Sequence, residues 1–231
     1  MSVLPARICA VLFDKDGTLV DFDRTWAGTM MAGARDFAGG DEALALRLCE
    51  AVGWDSARAT FAPDAFFANN PNAAIAARWR ALAGKPCTAH DAGRLDAIFA
   101  RAILGSVSPL GDLAAVVARV RARGLVLGVA TNDSRVSAEQ QLLALGVGEA
   151  FVFVTGYDGP CPPKPDPTAV REFARLAGCR PEEIAVVGDS DNDMKLARAG
   201  GAFAVAVTAD EGHRAVLAPL ADVTIGSIDE L

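Results

Sequence analysis

The stretch "VLFDKDGTLVDF", residues 11–22, ends an apolar run on two carboxylates, Asp14 and Asp16, set one residue apart, and then turns at Gly17-Thr18. The full run "ICAVLF" (8–13) has strand length and no polar alternation, which is the pattern of a strand covered on both faces. Side chains two apart on an extended segment share a direction. The turn at Gly17 relaxes that rule and lets the two acids approach one ligand from different sides. Lys15, between them, is expected to point away as a bystander.

Outward from this stretch the chain has two textures. After residue 105 one pattern repeats: an apolar run of strand length, a polar or glycine turn, then a segment of helical spacing. "LVLGVA" (125–130) leads through Thr131-Asn132-Asp133 into "SRVSAEQQLLALG". "AFVFVT" (150–155) precedes the helix "DPTAVREFARLAG", and "EIAVVG" (183–188) precedes "DNDMKLARAG". "AFAVAV" (202–207) is expected to close the series. Near-continuous apolar strands alternating with helices predict an α/β fold, a doubly wound, Rossmann-like parallel sheet. Residues 21–104 read instead as helices throughout, from "TWAGTMMAGARDFAG" to "HDAGRLDAIFARAIL". The expected organisation is an α/β core of residues 1–20 and 105–231 and an inserted α-helical subdomain of residues 21–104.

Composition narrows the function classes. The 231 residues carry a formal net charge of -7, and no Lys/Arg block is present, which argues against a nucleic-acid or anionic-lipid surface. No run reads as a membrane span. Five scattered cysteines (Cys9, Cys49, Cys87, Cys161, Cys179) form no C-x-x-C pair, so neither a zinc site nor a disulfide framework is expected. Idle thiols in a reducing compartment, and a start without a signal-peptide cleavage pattern, point to the cytoplasm. Both common nucleotide fingerprints are missing: Gly84-Lys85 runs into Pro86, and no G-x-G-x-x-G occurs.

Ligands of open α/β sheets bind beyond the carboxyl ends of the strands. Those ends carry Asp14 and Asp16, then Thr131 and Asn132, then Lys164 after "GYDGPCPP", then Asp189 and Asp193. Four acids gathered at one edge would repel one another unless a cation intervened. Oxygen ligands with no histidine or cysteine nearby point to Mg²⁺, held by Asp14, Asp16, Asp189 and Asp193, and Mg²⁺ favours sites it shares with a phosphate. Thr131, Asn132 and Lys164 then supply donors to phosphate oxygens. Asp14 suits in-line attack on phosphorus, and Asp16 suits proton transfer to the leaving group and from water.

With these residues in place, the chain resembles the haloacid dehalogenase-like superfamily of phosphohydrolases. "DKDGT" (14–18) matches its D-x-D-G-T motif, Thr131 its second, Lys164 in "KPDP" its third, and "GDSDND" (188–193) its G-D-x-x-x-D motif. The resemblance implies that Asp14 is the nucleophile and Asp16 the general acid/base. It further implies that Mg²⁺ is held by Asp14, the Asp16 backbone carbonyl and Asp189, with Asp193 acting directly or through water. It makes the helical insertion the cap of the phosphoglycolate phosphatase-like branch. The expected function is a Mg²⁺-dependent phosphomonoester hydrolase acting on a small phosphorylated metabolite, phosphoglycolate first. A phosphomutase of the same superfamily and a receiver-like phosphoacceptor module are the alternatives. The retained acid at Asp16 argues against the superfamily's dehalogenases.

His90 and His213 match no motif and read as surface or capping residues, and Cys161 has no positioned base. In the helical block Arg24, Trp26, Arg78, Trp79, Arg80 and Lys85 are candidates to meet a substrate anion, with packing or solvation as the competing reading for each.

Overall fold

The computed structural model describes residues 3–62 and 65–231. The chain divides into two compact units, residues 1–21 with 108–231, and residues 22–107.

The first unit opens with β1 (Ala10–Phe13), whose four side chains are all fully buried. At about 1.5–3 kcal/mol for each large apolar side chain removed from water, this short strand is a strong anchor.

The chain then enters the helical unit through α1 (Phe22–Ala38) and α2 (Glu42–Ala51). A two-stranded antiparallel hairpin follows, β2 (Trp54–Asp55) and β3 (Thr60–Phe61), then α3 (Phe66–Asn69), α4 (Asn72–Leu82) and α5 (Asp91–Ala102). The all-helical expectation for this block missed the hairpin. Its strands are two residues long, and Asp23 of α1 holds them by accepting the Phe61 N–H (2.8 Å) and the Thr60 hydroxyl (2.5 Å). Aromatic rings build much of this unit's interior. Phe61 packs against Phe22, Trp54 and Phe67 at centroid distances of 5.0–5.1 Å. Trp79, fully buried, donates its indole N–H to the Leu48 carbonyl at 2.8 Å.

Trp26 and Trp79 are thereby core residues, and Arg80 is committed to Asp91 (2.6 Å), so packing and pairing account for these three candidates. Arg78 lies over the Phe66 ring at 4.5 Å. Lys85 and His90 are exposed.

Back in the first unit, α6 (Leu113–Ala122), β4 (Val126–Ala130), α7 (Arg135–Ala144), β5 (Phe151–Thr155), α8 (Thr168–Ala177), β6 (Ile184–Gly188), α9 (Asp191–Gly200) and β7 (Phe203–Val207) follow in alternation. The series does not close there. α10 (Glu211–Leu217) and a three-residue parallel strand, β8 (Val223–Ile225), extend the sheet by one edge strand. Among the described residues the sheet has six strands in the order β5-β4-β1-β6-β7-β8, and every pairing is parallel. The doubly wound α/β expectation holds.

The strand order reverses at β1, which pairs with β4 on one side and β6 on the other. Ala10 and Leu12 join a core cluster with α8 and α9 residues, including Val170, Phe173, Met194 and Leu196. Alternation leaves Val11 and Phe13 to the opposite face. Gly128 in β4 is required by this packing, because a Cβ there would lie 2.7 Å from the Phe173 ring.

Cys9 and Cys179 are joined in a disulfide across 170 positions, which corrects the expectation of idle thiols. Spacing rules detect local pairs, whereas here the β1–β6 pairing brings the residue before β1 beside the segment leading to β6. Cys49 and Cys161 are buried thiols and Cys87 is exposed. No helix among the described residues is long and apolar enough to cross a membrane.

Two expectations follow. Gly128→Ala overpacks the sheet against Phe173 and lowers stability by about 1–3 kcal/mol in denaturant unfolding, and adding Phe173→Leu recovers part of that loss. Asp91 accepts from Arg80 and from the Thr88 N–H, and these bonds hold its carboxyl well below the usual carboxylate range. A lowered value stabilises the fold at neutral pH, and that contribution fades as pH falls through and below the carboxylate range. Asp91→Asn therefore lowers the neutral-pH Tm, and its deficit against the parent narrows in acid.

Candidate active site

The parallel register sets the carboxyl ends of β1, β4 and β6 side by side, and the residues that follow β1 and β6, Asp14 and Asp189, meet there. Asp14 follows β1 directly and donates its backbone N–H to Val187 of β6 at 2.8 Å. Its side chain is buried and forms a short ion pair with Lys164 Nζ. The same ammonium lies 2.7 Å from Asp193 Oδ1. One oxygen from each of Asp14, Asp189 and Asp193 falls within 4.8 Å of the others. Thr18 Oγ1 sits 3.5 Å from both Asp14 Oδ2 and Asp189 Oδ1.

Local structure explains why each group stands where it does. Asp193 is fully buried in the first turn of α9, where Ser190 donates its N–H (3.0 Å) and its hydroxyl (2.6 Å) to Oδ2 while capping the helix. It is therefore both a first-turn acid and a member of the cluster. Lys164 rides on a loop whose main chain is held by Asn132: Oδ1 accepts the Lys164 N–H at 2.8 Å, and Nδ2 donates to the Lys164 carbonyl at 3.3 Å. The Lys164–Pro165 peptide is cis. The Asn132 side chain thus holds the main chain of the lysine loop. Thr131 is buried at the end of β4, and its hydroxyl oxygen accepts the Asp133 N–H at 3.0 Å, which leaves the hydroxyl proton for an acceptor.

Gly17 is a steric requirement of the cluster. Its φ is +87°, and a Cβ there would fall 2.0 Å from Asp189 Oδ2. Only glycine leaves room for that carboxylate to come alongside the β1 loop.

Three carboxylates face one ammonium, and the imbalance appears in the titration of Asp14 and Asp189. Burial pushes the Asp14 carboxyl up to about 6, against the opposing pull of Lys164 and with Asp193 and Asp16 adding to the rise. Asp189 is raised well above the usual carboxylate range by burial and then by Asp14 and Asp193. An all-oxygen donor set short of positive charge fits a hard divalent cation.

Lys15 corrects the sequence reading most sharply. Its side chain is 0% exposed and is no bystander. Its ammonium lies 2.6 Å from Asp16 Oδ2, 3.2 Å from Asp133 Oδ2 and 3.0 Å from Gln141 Oε1. Burial works against this charge, but Asp16 and Asp133 outweigh it and raise the Lys15 pKa. Removing one partner of such a buried pair typically costs about 3–5 kcal/mol. A signal was present in the sequence: Gln141 interrupts the apolar stripe of α7 between Ala138 and Leu142, and a polar residue there needs a buried partner.

The model of the haloacid dehalogenase-like hydrolases matches residues 8–201, which include every residue of the cluster. A phosphoglycolate phosphatase of Neisseria meningitidis is 32% identical over 127 residues, covering 53% of this chain and 54% of that one. The chain thus spans about half the length of the curated relatives it matches first. A phosphoglycolate phosphatase of Rhodospirillum rubrum is 31% identical over 195 residues, 83% of this chain and 76% of that one. In fold, the chain is similar to CbbY from Rhodobacter sphaeroides, solved in complex with xylulose-1,5-bisphosphate, with a TM-score of 0.66 at 19% identity, covering 97% of this chain and 96% of that one. With a family match running through both the first and the last residue of the acidic cluster, the chain belongs to the haloacid dehalogenase-like hydrolases.

Proposed function

We propose that the protein is a Mg²⁺-dependent phosphomonoester hydrolase that works through an aspartyl-phosphate on Asp14. The observation that carries this reading is the single ammonium of Lys164 bridging Asp14 and Asp193 beside Asp189. A nucleophilic carboxylate, a cation for phosphate oxygens and a set of hard oxygen ligands converge on one strand end.

Asp14 attacks phosphorus in line, forming an Oδ–P bond as the bond from phosphorus to the leaving oxygen breaks. Asp16 gives its proton to that oxygen, so the alcohol leaves neutral. Water then attacks the same phosphorus, Asp16 takes its proton, and the Oδ–P bond breaks to release inorganic phosphate and restore Asp14. Lys164 and the Thr131 hydroxyl donate to the phosphoryl oxygens throughout. Asp14, the Asp16 carbonyl, Asp189 and Asp193 would hold Mg²⁺, which supplies positive charge for the phosphoryl oxygens and offsets the repulsion among the acids.

The helical unit of residues 22–107 enters the chain directly after the Asp14–Asp16 loop, and we assign it the part of a cap in substrate choice. Phosphoglycolate is the leading substrate, supported by the two relatives of that name at 31–32% identity.

A panel of phosphoglycolate, sugar phosphates and nucleotides, assayed with and without Mg²⁺, is expected to show Mg²⁺-dependent phosphate release. Asp14→Asn should lower it by at least about a thousandfold. Silence across the whole panel would sink the hydrolase reading, and isomerised product without free phosphate would replace it with a mutase. Gly17→Ala forces Asp189 aside and is expected to weaken Mg²⁺ activation about 10–100-fold in a metal titration of activity, with calorimetry as the independent check.

A further inference from the structure

We propose that Lys15 is the positioning residue for Asp16: anchored by Asp133 and Gln141, its ammonium draws the Asp16 carboxylate away from the Asp14–Asp189–Asp193 cluster and holds it ready as the proton carrier. The inference rests on the reading of Asp14 as nucleophile and Asp16 as acid/base.

The two acids of the β1 loop have been given separate counter-ions. Asp14 pairs with Lys164, and Asp16 pairs with Lys15 at 2.6 Å. The first pair joins α9 through Asp193, whereas the second joins α7 through Gln141 and the loop after β4 through Asp133. A carboxylate two residues from a metal-binding acid would be drawn into the same coordination shell. A fixed ammonium beside it competes for that carboxylate.

The anchor is itself braced. Gln141 accepts from Lys15 through Oε1, and its Nε2 donates to Asp133 Oδ2 at 3.3 Å and to Ser137 Oγ at 2.9 Å. Asp133 Oδ1 accepts the Ser134 N–H at 2.7 Å. The amide orientation follows from chemistry, since an ammonium can only donate and a carboxylate can only accept. A position that served packing alone would be filled as well or better by an apolar side chain, because burying an ion pair seldom yields net stability.

The test uses leaving-group dependence. General acid catalysis matters for an alkoxide and little for a nitrophenolate, and kcat/KM reports the step that expels the leaving group. kcat/KM is measured on p-nitrophenyl phosphate and on the best alkyl phosphate of the panel for the parent, Lys15→Met, Lys15→Arg, Asp133→Asn and Asp16→Asn, each checked for folding by thermal unfolding. Asp16→Asn is expected to lose far more on the alkyl ester. Lys15→Met should show an alkyl loss exceeding its aryl loss by at least about tenfold, part of the 10²–10⁴ that general acid catalysis supplies. Asp133→Asn should move in the same direction by less, and Lys15→Arg should recover part of the difference. Equal losses on both esters in folded Lys15→Met would overturn the inference. If that variant does not fold, equal losses in Asp133→Asn overturn it instead. Equal losses in Asp16→Asn would instead remove the acid/base reading, which keeps the two failures distinct.

Discussion

The structure depends on a charge constraint at the end of β1. A fully buried apolar strand delivers carboxylates straight into a protein interior, where an unpaired charge costs several kcal/mol. Two ammoniums answer it from opposite sides. Lys164 arrives on the loop before α8, and Lys15 bonds to α7 through Gln141. The surrounding loops serve these two pairs: Asn132 grips the Lys164 main chain, Ser190 holds Asp193, and Gln141 with Asp133 holds Lys15.

Parallel pairing makes such convergence possible. β1 is bonded in register to β4 and β6, so residues far apart in sequence reach the same level of the sheet. A one-residue slip would move Asp14 to the opposite face, away from Lys164. Fully apolar strands with helices on both faces make that slip expensive, and close contacts such as Gly128 against Phe173 pin the layers further. The rigidity of the sheet is therefore part of the site, because a nucleophile must be held to within a fraction of an ångström. The helical unit solves its own packing by a different route, through interlocking aromatic rings and the buried Arg80–Asp91 pair.

Much of this was legible in the sequence because strand ends carry their chemistry on adjacent residues. The alternation of apolar runs and helices implied the doubly wound sheet, and the four polar strand ends implied one shared edge. Asp14, Lys164, Asp189 and Asp193 do meet there. The same reading missed the hairpin and β8, which are too short to show a period and depend on neighbours such as Asp23 for their bonds. It left Trp26 and Trp79 open between meeting a substrate and packing, since an aromatic looks alike whether it lines a site or fills a core, and both fill the core.

By itself, the sequence determined which residue types stand at each strand end and hence the chemistry they share. Motif spacing and strand period are local properties, and the backbone expresses them directly. Only the tertiary structure decided the partners: that Asn132 positions Lys164, that Cys9 meets Cys179, and that Lys15 is a buried counter-ion to Asp16. The physical reason is that a buried charge or thiol takes its meaning from what surrounds it in space. Those surroundings come from α7, the loop before α8 and the segment between α8 and β6, 126, 150 and 170 residues away along the chain.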